Sequence, residues 1–523
     1  MAENDKDDQK LEVQTYYHGI RDMEEITSEL RHSGDFIVRA SMSDGVPRIF
    51  LHVRTKKDLQ KYMLPVVNNK YCLDVDKQNP FRVSFDAVAE LVNYYTGNAL
   101  PCGQKLIFGV PRPKWLIRHS AIDYYAKDLL GKGNFADVFK GSILLDGVKK
   151  FVAIKVCHTS EDKNQQEQEQ EACQSMLYEA KIMSKYYHEN IIDFIGIACD
   201  HPPILIVLEF CPGGSLDLHL RNDKIQICQV ELVLYAFEAA RGMRYLHAQK
   251  CLHRDLASRN CLISSRGQIK IADFGLSQMV DEMNLKKEEK KEEKEKKKAN
   301  VPLRWLAPEA ISRNPVVLLN SDVWSYGVLL YEMFNKGLAV FHDEDDYKKI
   351  AKHIRHGDMP KFPESAPELL RKVVTEEIWL IEPEKRTMFD DIVPLLMAYL
   401  EEHEKEFPSI ENLAVNRIKG VNRTAIFYSS RQELLKRDRY IVVSSRRRRR
   451  SVHRSNPSPN QNPTEVSVTR RRSKPRRRSK VTTNNTNNNA SCRNQERSDR
   501  ESDDDGKRTS AEPLSGMERR TKS

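Results

Sequence analysis

With 523 residues the chain has room for two to four domains, and its ten Cys, none in a Cys-x-x-Cys pair, point to reduced thiols rather than a metal or disulfide framework. The net charge of +10 belongs to one stretch: residues 446–480 hold fourteen Lys and Arg against a single acid, Glu465, so they carry +13 and leave −3 for the rest, which excludes a uniformly basic body. No run reaches the roughly 18 apolar residues of a membrane span, the acidic start is unlike a signal peptide and Ala2 does not fit N-myristoylation, so a cytoplasmic chain without a transmembrane segment is expected.

Residues 1–14 are polar and expected to be mobile. Residues 16–108 mix strand-like runs at Phe36–Val38 and Ile49–Val53 with helical patterns at Glu24–Arg31 and Ser84–Tyr95, an α+β module of ordinary domain size. Tyr16-Tyr17-His18-Gly19 followed by Gly34-Asp35-Phe36-Ile37-Val38-Arg39-Ala40-Ser41 resembles an SH2 domain. That resemblance implies a phosphotyrosine site in which Arg39 forks two phosphate oxygens, Ser41 and Ser43 add hydroxyl donors and Lys61 a second cation. The position that often carries another phosphate-binding Arg is Met23, with Arg21 nearby. The alternative for Arg39 is an ordinary surface residue at a strand end. A Pro-rich linker, 109–123, follows.

Residues 124–400 read as strands first (Phe151–Val156, Leu205–Phe210), then helices (Val230–Ala248, and Ser321–Lys336 opened by a Ser/Asp cap and closed by Gly337). Along them lie Leu130-Gly131-Lys132-Gly133-Asn134-Phe135-Ala136-Asp137-Val138, Val152-Ala153-Ile154-Lys155, Leu177-Tyr178-Glu179-Ala180, His253-Arg254-Asp255-Leu256-Ala257-Ser258-Arg259-Asn260, Asp273-Phe274-Gly275 and Ala307-Pro308-Glu309. The order and spacing resemble the protein kinases. The resemblance implies a bilobal kinase fold, ATP and Mg²⁺ as cofactors, and the following roles. Leu130, Gly131, Gly133, Val138, Ala153, Lys155, Leu208, Glu209 and Cys211 bind ATP, with Leu208 as gatekeeper and Glu209–Cys211 as the adenine hinge. Lys155 grips phosphates and is set by Glu179, while Met183 packs one turn on. Asn260 and Asp273 hold Mg²⁺, Asp255 orients and deprotonates the acceptor, and Arg259 helps to place it. Glu309 is expected to pair with Arg386, and Asp322 to hold the catalytic loop. Ala136, in place of a third Gly, implies a stiffer lid.

Ala257 and Arg259, with Val301-Pro302-Leu303-Arg304-Trp305, match the tyrosine-kinase arrangement, so protein tyrosines are the expected substrates; Leu306 departs from the usual Thr or Met. Between Gly275 and Ala307 there is no Tyr or Thr, and Ser277 is the one hydroxyl. A Lys/Glu tract, 286–298, stands where other tyrosine kinases carry a phosphorylated Tyr. Its Glu residues are either a permanent anion for Arg254 or one half of a self-neutralising loop, the latter preferred.

An SH2 domain joined to a tyrosine-kinase domain resembles the Fes/Fer non-receptor kinases, over residues 16–400. In that family the ligand-bound SH2 domain packs on the kinase's regulatory helix and promotes activity. The expected function is therefore a protein-tyrosine kinase in signal transduction, recruited to tyrosine-phosphorylated proteins; the runner-up is an SH2 adaptor with a weakly active kinase scaffold. Residues 401–523 read as a tail, mostly disordered and rich in Arg, Ser and Asn. Arg446–Arg450, Arg470–Arg472 and Arg476–Arg478 offer contacts to anionic membrane or nuclear import machinery, against a bland solubilising role.

Overall fold

The computed structural model describes residues 10–43, 46–74, 83–133, 135–145, 147–158, 166–280, 302–312 and 314–427. The Lys/Glu tract and the Arg clusters of the tail therefore lie outside the described residues. The N-terminal module builds β1 (Tyr17–Ile20), α1 (Met23–Thr27), β2 (Asp35–Ser43), β3 (Val46–Arg54), β4 (Leu59–Met63), the short β5 (Val66–Val67) and β6 (Lys70–Tyr71), α2 (Val88–Gly97) and β7 (Phe108–Gly109). Its sheet runs β1-β2-β3-β4 with β7 beside β2. Phe36, Val38, Leu51 and Val53 alternate onto the face covered by Leu91 and Val92 of α2, the period-2 burial that sets strand register. The first helix is shorter than the pattern Glu24–Arg31 suggests, because Leu30 turns into a small core with Ile26 and Ile37 rather than extending the helix.

A second five-stranded sheet, ordered β11-β12-β10-β9-β8, forms an upper lobe. It comprises β8 (Ile122–Lys132), β9 (Ala136–Leu145), β10 (Val148–Cys157), β11 (Phe194–Ala198) and β12 (Leu205–Glu209), with helix α3 (Gln166–Met183) packed on it. The lower lobe is mainly helical: α4 (Leu216–Leu220), α5 (Gln229–Ala248), α6 (Leu319–Phe334), α7 (Tyr347–His356), α8 (Glu368–Lys372) and α9 (Phe389–Glu402), with the short strands β13 (Cys251–Leu252), β14 (Cys261–Ile263), β15 (Ile269–Ile271) and β16 (Gln278–Met279). Helix α6 starts two residues before the expected cap. Ser321 sits inside its first turn and its hydroxyl accepts the Leu318 amide at 3.0 Å, a side-chain cap for an otherwise orphaned donor.

The two regions share buried surface. Ile20 and Ala40 pack in one apolar cluster with Ala172, Cys173, Met176 and Ala180 of α3. The Ile20 amide donates to the Cys199 carbonyl at 2.6 Å and the Tyr17 hydroxyl to the Asp200 carbonyl at 2.7 Å. Gly19 lies at φ +64°, and a Cβ there would stand 2.3 Å from the Cys199 oxygen, so this glycine is required both by its conformation and by the close approach. Asp200 also takes the Arg112 guanidinium of the linker, and the His119 amide at 3.0 Å.

The expected tail from 401 needs correction. Helix α9 runs to Glu402, and residues 404–427 lie against the lower lobe with Leu413, Ala414, Val415 and Val421 buried. The Ala414 and Val415 amides donate to the Glu231 carboxylate at 2.9 and 3.2 Å, and buried Arg423 pairs with Glu238 at 2.7 Å. The apolar residues here are spaced without a period because they dock singly, so the segment reads as tail although it completes the lobe.

Candidate functional site

The cleft between the lobes gathers most of the motif residues. Register in the upper sheet sets Gly131 opposite Val138, Val138 opposite Lys155, and Ala153 opposite Leu208. Alternation then puts Ala153 and Lys155 on one face of β10, away from buried Val152 and Ile154. Leu130 is exposed, and a Cβ on Gly131 would meet nothing within 4 Å, whereas one on Gly133 would stand 2.8 Å from the Ala136 oxygen. Ala136 itself opens β9, where it pairs with Cys157 and its methyl is buried against the α3 cluster. The methyl thus anchors the end of the loop.

Lys155 Nζ bonds both carboxylate oxygens of Glu179, at 2.9 and 2.8 Å, and Asp273 Oδ1 at 3.4 Å. Burial works against the Lys155 ammonium, but Glu179 and Asp273 outweigh it and hold its pKa above the ordinary value. Burial also pushes the Glu179 carboxyl up, and Lys155 opposes that; the bidentate geometry favours the ionised pair. For Asp273, burial is overcome by Lys155 and the Gly275 amide, which keep the carboxyl below its usual range.

Asp255 and Asn260 meet across one turn of the catalytic loop. Asn260 Nδ2 donates to the Asp255 carbonyl at 2.7 Å and to its carboxylate at 2.8 Å, which leaves the Asn260 amide oxygen for a cation. Arg259 pairs with Asp255 and stacks 4.2 Å from the Trp305 ring. Burial raises the Asp255 pKa, with Arg259 opposing. Asp322 fixes the loop: its two oxygens each accept at 2.9 Å, from the His253 and Arg254 amides. Arg254 and Asp273 both have positive φ, +69° and +61°, strain of the kind found where backbone is held for function. Phe274 is fully buried beside His253 and Tyr186, and Met183 is buried in the same cluster. Glu309 and Arg386 form a two-pronged bridge, 2.8 Å on each side.

Leu208 and Glu209 end β12, and Lys270 Nζ holds the Glu209 carboxylate at 2.7 Å. Cys211 is buried, and burial raises its thiol pKa. One residue escaped the motif reading. Glu332, buried in α6, accepts the Ser258 amide and hydroxyl at 2.9 and 2.7 Å and the Trp305 indole at 3.1 Å, so it ties the catalytic loop to the segment after Pro302. A lone acid in the apolar run Val328–Phe334 was its signal.

In the N-terminal module Arg39, Ser41 and Lys61 also converge. Arg39 is buried on β2 opposite Phe50, Ser41 opposite Arg48, and Lys61 opposite His52. The Arg39 guanidinium lies 5.4 Å and the Lys61 ammonium 4.2 Å from the same Phe50 ring centroid. Arg39 Nε donates to His52 Nε2 at 3.1 Å, and Nη1 to the Arg21 carbonyl at 2.7 Å. Arg21 belongs elsewhere: its guanidinium bonds Glu29 at 2.9 Å and His18 at 2.9 Å and faces Trp115 at 5.1 Å. Met23 is exposed.

Comparison with known proteins agrees with this geometry. The family model "Protein tyrosine and serine/threonine kinase" matches residues 125–396. Fer-related kinase 1 of Caenorhabditis elegans is 33% identical over 394 residues, 74% of this chain and 94% of that protein. Tyrosine-protein kinase Fer of Homo sapiens is 31% identical over 388 residues, 73% of this chain and 43% of that protein, so the chain spans less than half of its length. The transforming protein Fps of avian sarcoma virus (strain PRCII) is 30% identical over 394 residues, 75% of this chain and 68% of that protein. No described helix is long and apolar enough to cross a membrane. With its cleft geometry and these relatives, the chain belongs to the Fer and Fps group of tyrosine-protein kinases.

Proposed function

We propose that this tyrosine kinase uses Mg-ATP, that the residues named above carry the transfer, and that its N-terminal module is an SH2 domain which recruits it to phosphotyrosine. The observation that carries the reading is the Lys155–Glu179–Asp273 cluster standing with the Asp255–Asn260 pair. Asn260 and Asp273 supply hard oxygens and would hold a phosphate-bound Mg²⁺, which would supply charge neutralisation on the phosphates. Lys155, kept cationic by two carboxylates, grips the α- and β-phosphates, and Gly131 and Gly133 let backbone amides come close. Asp255 stays an anion beside Arg259, orients the tyrosine hydroxyl and takes its proton; Arg259 stacked on Trp305 presents the phenol side of the site.

Recruitment rests on Arg39 and Lys61 meeting over Phe50, with Ser41 two residues along β2 from Arg39. The shared cluster between the module and α3 supports SH2 engagement as the control, because α3 carries Glu179, and Glu25 of α1 lies 3.9 Å from Lys181 on the same helix. A cytoplasmic kinase acting on tyrosine-phosphorylated complexes follows.

The test uses the full chain with Mg-ATP and Tyr, Ser and Thr peptides beside an Asp255→Asn control. Phosphotyrosine should form on the Tyr peptide and fall by roughly 10³-fold in the control. Equal signal in both would overturn the assignment of Asp255.

A further inference from the structure

His52 is an odd residue for its place. It stands on β3, wholly buried, beside two cations. Arg39 Nε donates to its Nε2 at 3.1 Å. A guanidinium has no acceptor, so Nε2 must offer its lone pair, and the proton of the neutral ring sits on Nδ1. Nδ1 has no partner among the described residues. Burial first, then the charges of Arg39 and Lys61, hold the ring neutral, its pKa lowered to about 3. A leucine or methionine here would remove the unpartnered Nδ1–H and the electrostatic penalty but strand the buried Arg39 Nε–H, so the exchange roughly offsets in stability and what the imidazole distinctively supplies is an acceptor.

What the imidazole supplies is a grip on Arg39. The guanidinium is held at Nε by His52, rests through Nη1 on the Arg21 carbonyl at 2.7 Å, and lies over Phe50 at 5.4 Å. Met23, at the position where a second phosphate-binding Arg is often found, has no charge, and Arg21 is committed to Glu29 and His18. Anion capture therefore falls more heavily on the orientation of Arg39. Resting on the reading of the module as a phosphotyrosine-binding domain, we infer that His52 is a positioning residue: its Nε2 lone pair fixes the Nε edge of Arg39, so that the terminal nitrogens are offered to a phosphotyrosine phosphate. The residue acts through Arg39 and need not touch the ligand.

The test measures binding of a fluorescent degenerate phosphotyrosine-peptide pool to the full chain by anisotropy, with melting curves for each variant. Arg39→Ala should remove binding. His52→Leu should weaken it about tenfold, the effect of losing one hydrogen bond to a charged group, while melting close to the parent because the stranded Arg39 donor offsets the relief of the unpartnered Nδ1–H. His52→Gln, which keeps an acceptor, should bind within about threefold of the parent. If His52→Leu fails to fold, His52→Met repeats the measurement at similar volume. Undiminished binding by Arg39→Ala would overturn the reading of the module itself. Loss of binding by Arg39→Ala with parental binding by His52→Leu would leave that reading standing and remove the role of His52. Equal weakening by folded Leu and Gln variants would show that packing, not the lone pair, is what matters.

Discussion

The cleft and the proposed anion pocket handle charge in opposite ways. In the cleft the principal charges are paired within the protein, Lys155 with Glu179 and Asp273 and Asp255 with Arg259, as Arg386 is with Glu309 in the lower lobe. In the pocket, Arg39 and Lys61 share an aromatic face, and among the described residues neither has a salt bridge. A self-neutralised cleft is assembled before its substrates arrive. Cations without a salt bridge suit the binding of an outside anion proposed above. Removing one charge from each region tests this contrast. Lys155→Ala strands Glu179 and should cut phosphotransfer by roughly 10³-fold and lower the melting temperature. Arg39→Ala strands no carboxylate partner and should leave melting nearly unchanged. A large melting loss in Arg39→Ala would break the comparison.

The lower lobe offers the next largest effect. Arg423 and Glu238 are both buried and paired, and Arg423 also donates to the Gly267 and Ile426 carbonyls at 2.8 Å each. Arg423→Ala leaves the Glu238 carboxylate uncompensated and should destabilise the domain by about 4 kcal/mol, read from chemical denaturation. The double variant with Glu238→Gln should recover part of that loss. No destabilisation would return residues 404–427 to the status of a dispensable tail.

These examples mark how far the sequence could be read. The catalytic loop was legible because its eight residues are contiguous, and the motifs around it keep their order. The upper-lobe strands and the helices that became α5 and α6 announced themselves by spacing. Arg39 and Ser41 were singled out through the resemblance of their run to an SH2 domain, and alternation along β2 puts both on one face. Glu332, His52 and Arg423 were not, because what gives each a role lies 74, 13 and 185 residues away along the chain. His52 and Arg423 look locally like polar residues in unremarkable runs, Glu332 shows only as a lone acid in an apolar run, and for all three only tertiary packing supplies the partner. Arg21 shows the converse: proximity in sequence to Met23 suggested the phosphate site, but Glu29 and His18 claim it.

Acid separates the two regions by pH. His18 in the N-terminal module is buried, bonds the Val110 carbonyl through Nε2 at 3.0 Å and accepts from Arg21 through Nδ1 at 2.9 Å. Burial lowers its pKa from 6.5 to about 4. The unfolded chain therefore binds a proton that the folded chain refuses, and stability is full above pH 6.5 and lost as pH falls towards 4, by about 3 kcal/mol for this group. The cleft carboxylate Asp273 is held below its ordinary value of 3.8, so its contribution is lost only at still lower pH. Hydrogen exchange should show β1 and β2 losing protection between pH 7 and 5 while the Asp273 segment keeps its own.

The smallest expected effect concerns Arg254, the one cation of the catalytic loop whose partner is a carbonyl and not a carboxylate. Its backbone amide is fixed by Asp322, and its Nη1 reaches the Leu276 carbonyl at 3.4 Å, a long contact. Relatives with a phosphorylated Tyr in the activation segment give such an Arg a dianion. Here Ser277, the only hydroxyl between Gly275 and Ala307, is buried, and its hydroxyl donates to the His253 carbonyl at 3.2 Å. Phosphorylating it would require opening that turn. Meanwhile β13 and β16 already pair, Cys251 with Met279 and Leu252 with Gln278, so the start of the segment is held by backbone bonds without a phosphate. One weak neutral-acceptor bond contributes about 1 kcal/mol, so Arg254→Gln should lower activity less than tenfold, and phosphatase treatment of the full chain should leave it within about twofold. A collapse of activity on either treatment would mean that an anion outside the described residues engages Arg254, and the cleft would then share the pocket's dependence on a partner that the contrast denies it.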